Sequence, residues 1–508
     1  AGLLHPETFD VPGEHHPGGV LRRLFQDALL QAPEVFASLA GQPYPVVFES
    51  SASHPQWGRY TILTCRPREI ITLRNGQLRN RTGERVPGKT VLSSLRHALG
   101  TVQLDNEQAG KRSPFPYGPG WFGYIGYEFG RYIERLPGKA RRDTTLPDLH
   151  LAFYDAVAVY DVIEQRWYLS WLEDDSQQGI SGSETADVLR QVIFSAGDLR
   201  GQDNQDKFFC LGDYPFEGML DSLEITSNFT REEYLRAVAR CIDYIVAGDI
   251  FQVNLSQRFT VVDAPSPWVI FHALRRRNPA WYSAFLELDD SAVISSSPEL
   301  FLRVRGANVL TRPIKGTCKR TGNLQEDKQS AARLLASPKD NAELAMIIDL
   351  LRNDLGRVCR FGSIGVLERR RLEEHPSVYH LVGTVVGELR EDVDVVDLLS
   401  ATFPGGSITG APKIRAMEII DELEPVARGV YTGSIGYIGL NGNCELNIVI
   451  RTIVWDGGVA HVQVGGGIVA DSTPEGEYAE TLDKARAPLE AIALAKRVSP
   501  SPVRSKDK

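Results

Sequence analysis

Three consecutive glycines running into a helix start constrain this chain more than any other stretch. In segment 464–484, VGGGIVADSTPEGEYAETLDK, residues Gly465, Gly466 and Gly467 let the backbone approach a ligand and present its N–H groups, which suits a carboxylate. Thr473 fits an N-cap, Pro474 suits the first helical position and acidic residues follow, so a helix is expected here. Glu477, Glu480 and Lys484 then share one face. Two carboxylates a turn apart can hold a hard cation such as Mg2+ with positions open for substrate oxygens, and Lys484 can pair with a further oxygen. The same spacing also describes an ordinary solvated face with a Glu480–Lys484 pair.

The 508 residues provide for several domains or one large intertwined unit. A net charge of -9 argues against nucleic acid as the main partner. No apolar run reaches membrane-spanning length, and AGLLHPETFD lacks the charged and apolar regions of a signal peptide, so no membrane partner and a cytoplasmic location are expected. The six cysteines (Cys65, Cys210, Cys241, Cys318, Cys359, Cys444) show no CxxC spacing and are read as free thiols.

Strand-like runs at 45–49, 60–63, 69–73, 157–162 and 167–171 mark an N-terminal portion, 1–175. Within it, SPFPYGPGWFGYIGYE (113–128) is read as a tight, glycine-rich and aromatic bend against a core, with room for a ligand. Polar, irregular sequence at 176–227, interrupted by a helix-like piece at 185–194, suggests a connecting region. A second portion, 228–498, opens with a capping box at Thr230 and Glu233 and a helix to Ala247. A strand at 250–260 follows, and its alternation puts Gln252, Asn254 and Ser256 on one face, which meets either solvent or a polar site. Further strands are expected at 283–287, 292–294, 300–304 and 381–386, and helices at 324–336, 338–355 (N-cap Ser337) and 414–423. The basic tail 499–508 is expected to be disordered.

Four more segments carry chemistry. Asp340 and Glu343 lie one turn apart in the 338–355 helix, and one or both can complete the cation site or simply face solvent. The segment 312–317, RPIKGT, reads as a loop in which Lys315 points at a ligand beside Gly316; a lysine desolvated near other cations becomes a nucleophile, whereas in an ordinary turn it is a surface charge. Glu299 follows a strand in SSSPE, where a partly buried carboxyl can stay protonated and donate to a leaving hydroxyl, or sit in a surface turn. The segment 403–413, FPGGSITGAPK, offers hydroxyls and N–H groups before a helix, an anion-binding arrangement without Walker A spacing.

Together these motifs (QVNLSQRF, SSSPEL, RPIKGT, ELAMIIDLLRNDLGRV, FPGGSITGAPK, YTGSIGY and the 464–484 stretch) resemble the chorismate-utilising enzymes, which include anthranilate, aminodeoxychorismate, isochorismate and salicylate synthases. The likeness is strong over 228–493 and weaker over 45–171. It implies an α/β (α+β) fold, a large two-sheet sandwich with helices packed around the sheets, holding chorismate and Mg2+ in a deep cleft. It implies Glu343 and Glu480 as metal ligands, with Glu477 nearby. Tyr431, Arg451, Gly465, Gly467 and Lys484 correspond to substrate-carboxylate binders, and Ser407, Gly316 and Thr317 to substrate-binding positions. Glu299 corresponds to the general acid and His380 to a cleft histidine. Glu49 and Ser50 resemble a segment that binds tryptophan in feedback-inhibited relatives, with Asn278-Pro279 as its partner. However, Ala280-Trp281-Tyr282 departs from the usual continuation, and Cys318-Lys319-Arg320 departs from Arg-Pro-Arg.

Two positions divide the family. Water-adding members carry lysine where this chain has Gln252, and anthranilate synthases usually carry alanine at the place of Lys315, whose PIKGT form is similar to that of the aminodeoxychorismate branch. The resemblance therefore implies amination of chorismate at C4, with anthranilate formation as the alternative, in the supply of p-aminobenzoate and folate. No cysteine stands in a nucleophile-elbow context with a partner histidine, so ammonia is expected from a separate glutamine amidotransferase subunit.

Overall fold

A computed structural model describes residues 20–27, 32–52, 54, 57–102, 116–173, 182–195, 218–376 and 378–499. The remaining parts of the 176–227 region, Cys210 and the tail from 500 lie outside the described residues. Among the described residues, two large antiparallel sheets, of 12 and 11 strands, form the expected sandwich. In the first, Val46–Glu49, Tyr282–Glu287, Ser291–Ser297, Thr452–Asp456, Val459–Ile468 and Gln252–Val261 lie side by side in that order. The second runs from Ile314–Lys319 through Val378–Glu388, Asn308–Arg312, Leu300–Arg305, Cys444–Asn447, Ser434–Gly439 and Gly120–Ile125 to Leu149–Tyr154 and beyond.

The inner faces meet in an apolar layer that includes Val46, Ile62 and Val293 from one sheet and Phe122, Tyr124 and Tyr437 from the other. Helices Pro267–Arg277 and Pro474–Val498 cover the first sheet through Phe271, Leu274, Leu489 and Ile492. Arg231–Val246, Pro338–Gly356 and Lys413–Leu423 pack around the second core through Val238, Ile348 and Met417. Both portions of the chain supply both sheets: Glu49 pairs with Ser283, and Ile125 with Ser434.

Local signals place the helices well. Thr230 and Glu233 form the capping box, Ser337 accepts from Asp340 N–H, and Thr473 accepts from Gly476 N–H. Two expectations fail. The stretch read as a bend contains the buried central strand Gly120–Ile125, because glycine there serves close strand approach: a Cβ on Gly123 would lie 2.0 Å from the His150 carbonyl oxygen. The segment read as a loop is strand, Asn308–Arg312 and Ile314–Lys319, with Pro313 between the two. Within the 176–227 region, the described helix Gly182–Ser195 buries Ala186, Leu189 and Val192 in the first sheet's outer core.

Two of the places where the chain steps between the sheets lie next to each other. Ser291–Ser297 belongs to the first sheet and Leu300–Arg305 to the second, so Pro298 and Glu299 make one crossing. Cys444–Asn447 and Thr452–Asp456 make the other, through Ile448 to Arg451. The crossings are tied together: Ile448 N–H donates to the Glu299 carbonyl at 3.0 Å, and Ser296 N–H to the Arg451 carbonyl at 3.1 Å.

Candidate active site

The glycine run lies in Val459–Ile468 and pairs with Gln252–Val261, with Gly465 opposite Ser256 and Gly467 opposite Asn254. Its lack of side chains is a steric requirement. A Cβ on Gly466 would stand 2.8 Å from Glu477 Oε2 and 3.4 Å from Glu480 Oε1; one on Gly467 would stand 2.4 Å from Gln252 Nε2 and 3.2 Å from Lys315 Nζ. The stripe is therefore where two carboxylates of the C-terminal helix and one amine converge on backbone.

Lys315 reaches this place from the edge of the second sheet by a bulge. Ile314 pairs with Val382 and Thr317 with His380, so three steps on one strand match two on the other, which re-aims the residue between. Gly316 supplies the left-handed backbone, φ +81°, and a Cβ there would lie 2.8 Å from Asp340 Oδ1. The lysine amine points inward, 4.0 Å from Glu343 Oε2. Burial and then Lys484 draw its pKa down against the pull of Glu343, favouring a free amine.

Glu299 is buried at the crossing, where Ser407 Oγ donates to its Oε1 at 2.6 Å. Burial raises its pKa from 4.5 to about 7, against the opposing effects of Ser407 and Lys315, so it holds a proton near neutrality. Arg451, the last residue of the second crossing, takes a left-handed backbone, φ 54°, and donates from Nη1 to the Lys484 carbonyl at 2.6 Å. Burial draws its guanidinium pKa down, with the Glu480 carboxylate opposing. Lys484 Nζ donates to the Gly465 carbonyl at 2.8 Å and pairs with Glu480 at 2.6 Å. Lys484 and Arg451 thus form a cationic pair suited to a substrate bearing carboxylates.

For a cation, the donor chemistry fits. Glu477 is buried, accepts from Ser472 Oγ at 2.6 Å through Oε1, and leaves Oε2 without a partner beside Glu480. Glu343, raised by burial, feels the charge of Glu480 from the facing helix. Among the described residues no three His, Cys, Asp or Glu side chains form a ready-made metal cluster. Mg2+ takes one or two protein carboxylates and completes its shell with water and substrate oxygens.

His380 shares a hydrogen bond between Nδ1 and Thr317 Oγ1 at 2.9 Å, and its ring stands edge-on to His375 with centroids 4.9 Å apart. Burial, followed by His375 and Arg451, holds it well below the ordinary histidine range, so it is neutral. The face carrying Gln252, Asn254 and Ser256 is buried and lines the site. Beneath it lies a pair that sequence reasoning missed: Arg428 and Glu424, bonded at 2.7 Å. Glu424 also accepts from Ser256 N–H and Oγ, while Arg428 donates to the Asn254 carbonyl. Only the polar alternation of the 252–256 strand hinted at it. In the 403–413 segment Thr409 Oγ1 is turned to the Gly405 carbonyl and Lys413 pairs with Asp354 at 2.6 Å, leaving Ser407 as the hydroxyl at the site.

Glu49 and Ser50 lie elsewhere. Glu49 accepts from Arg275 Nε at 2.9 Å, and Ser50 Oγ donates to the Trp281 carbonyl at 3.0 Å. Both line a cavity of about 230 Å3 walled by Trp57, Tyr117, Trp281 and Tyr437. No helix among the described residues is long and apolar enough to cross a membrane.

Against this geometry, the family model for chorismate binding enzymes matches residues 45–490. Aminodeoxychorismate synthase component 1 from Klebsiella aerogenes is 38% identical over 456 residues, 88% of this chain and 94% of the relative. Anthranilate synthase component 1 from Thermus thermophilus is 38% identical over 467 residues, 92% and 96%. The crystal structure of anthranilate synthase component I from Streptococcus pneumoniae superposes with a TM-score of 0.72 at 32% identity, covering 86% of this chain and 93% of that one.

Proposed function

The chain belongs to the chorismate binding enzymes, and from that premise we propose that it replaces the C4 hydroxyl of chorismate with ammonia to give 4-amino-4-deoxychorismate. The observation that carries this reading is the Lys315 amine, buried and aimed at Gly467 beside Glu343, with Glu299 held near pKa 7. Lys315 attacks C2 while Glu299 gives its proton to the departing hydroxyl, which leaves as water. Ammonia then adds at C4 and expels the lysine amine, and the surplus proton on the new nitrogen returns to Glu299. The enolpyruvyl group stays in place. Arg451, Lys484 and the N–H groups of the glycine stripe hold the substrate carboxylates, and Tyr431 and Thr317 flank them. Neutral His380 orients Thr317. Mg2+, held by Glu343 and Glu480 with Glu477 beside them, would neutralise substrate carboxylate charge when bound.

Ammonia is supplied by a separate glutaminase subunit in this reading, in keeping with the component naming of the relatives, and the expected compartment is the cytoplasm. The product feeds p-aminobenzoate and folate synthesis. Incubation with chorismate, Mg2+ and an ammonium salt, followed by product identification by mass, tests the reaction: 4-amino-4-deoxychorismate without pyruvate is expected. Anthranilate with pyruvate would overturn it in favour of the other branch, to which the chain is equally similar. The aromatic cavity bordered by Glu49 and Ser50 is read as a seat for tryptophan; calorimetric titration with tryptophan, giving no heat, would reject that seat.

A further inference from the structure

Lys339 stands where local helix chemistry disfavours it. It follows Pro338 in the first turn of helix Pro338–Gly356, where the positive end of the helix dipole favours acids over bases. Its i,i+4 partner is Glu343, and lysine preceding glutamate is the weaker order of such a pair. Its stabilisation comes in part from the facing helix. Lys339 Nζ stands 4.0 Å from Glu343 Oε1 while Lys315 Nζ stands 4.0 Å from Oε2, so that carboxylate has an amine beside each oxygen. Burial pushes the Glu343 and Glu477 carboxyls up, and the Lys339 charge is among those that oppose it. At Glu480 burial is outweighed by Lys484, with Lys339 and Lys315 acting in the same direction. One exposed amine therefore acts on all three carboxylates assigned to the Mg2+ site, and Glu477 Oε2 among them is buried without a hydrogen-bond partner.

We propose that Lys339 is a tethered counter-ion of the Mg2+ site: its ammonium holds Glu343, Glu477 and Glu480 together in the metal-free protein and is displaced when the metal binds. The inference rests on the metal assignment and adds an internal competitor to it. Three carboxylates in one place repel one another, and an ammonium beside them offsets part of that repulsion. The side chain suits the part. It is 48% exposed on a flexible stem, so the amine can swing into water, where an ammonium is strongly hydrated. Lys315 and Lys484 lack that freedom, the first being 10% exposed and the second bonded to the Gly465 carbonyl at 2.8 Å. Metal affinity in the substrate-free protein is thereby held down.

Calorimetric titration of Mg2+ into the chorismate-free protein tests this in Lys339→Met, which keeps an unbranched stem and removes the charge. The dissociation constant is expected to fall about tenfold, the scale of one screened charge close to a divalent ion. Lys339→Arg, which keeps the charge, should stay within about threefold of wild type by the same reasoning. In EDTA, Lys339→Met should unfold at lower urea than wild type and recover the difference in saturating Mg2+, a pattern that a merely solvated lysine would not give. A Lys339→Met protein that binds Mg2+ as wild type does, or more weakly, overturns the proposal. Lys339→Arg matching Lys339→Met would also overturn it, since shape rather than charge would then set the affinity. If Glu343→Gln binds Mg2+ as well as wild type, the metal assignment itself falls instead.

Discussion

Replacing Glu299 by glutamine should make the protein more stable while making it inactive. The carboxyl is 4% exposed, and burial raises its pKa from 4.5 to about 7. At about 1.36 kcal/mol per pH unit, that rise corresponds to roughly 3 kcal/mol. In the unfolded chain the group ionises above its ordinary value, while the folded protein keeps the proton until about pH 7. Between those limits the folded state binds more protons, so stability falls as pH rises, reaching its full cost above the folded value. Glutamine keeps the volume and can still accept from Ser407, but it has nothing to ionise. Urea denaturation followed by tryptophan fluorescence should therefore show a Glu299→Gln advantage that is small near pH 5 and grows to about 3 kcal/mol at pH 8. Turnover should fall by about two to four orders of magnitude with loss of the acid. An advantage that does not change between the two pH values would refute the claim that this carboxyl is held protonated by burial.

Lys315→Ala should cut chorismate amination at least about a hundredfold, the loss equivalent to roughly 2.7 kcal/mol of transition-state stabilisation, measured at saturating ammonium; an unchanged rate removes the nucleophile role. Gly466→Ala places a methyl 2.8 Å from Glu477 Oε2, a movable side-chain end, so the half-saturating Mg2+ concentration should rise about tenfold in a folded protein, and an unaltered Mg2+ titration would count against the metal assignment. Glu424→Ala strands Arg428, 3% exposed, without its partner and should destabilise by about 3–5 kcal/mol in urea; a loss under about 1 kcal/mol would show that the pair is dispensable.

What could be read from the chain beforehand was largely what is decided locally. Thr230, Ser337 and Thr473 announce helix starts because an N-cap answers N–H groups two or three residues away. The strand Gly120–Ile125 was missed because its glycines act on backbone from Leu149–Tyr154 and Ser434–Gly439, which no window around residue 123 contains. Pro313 and Gly316 suggested a loop for the same reason: the bulge that aims Lys315 exists only against Val378–Glu388. The acidic residues and lysines of the site stood out through motif likeness, whereas Glu424 and Arg428 carried no periodic mark, since Ser256 and Asn254 lie far away in sequence.

The sharing of both sheets by both portions of the chain has a consequence for synthesis. Val46–Glu49 is hydrogen-bonded to Tyr282–Glu287, about 230 residues downstream. At ribosomal rates of about 5–20 residues per second, the earlier strand waits roughly 10–50 seconds for that neighbour to emerge. During that interval Val46 and Val47, buried in the finished protein, lack the cover that Tyr282–Glu287 will provide, so the nascent chain presents a sticky edge and is a natural client for chaperones.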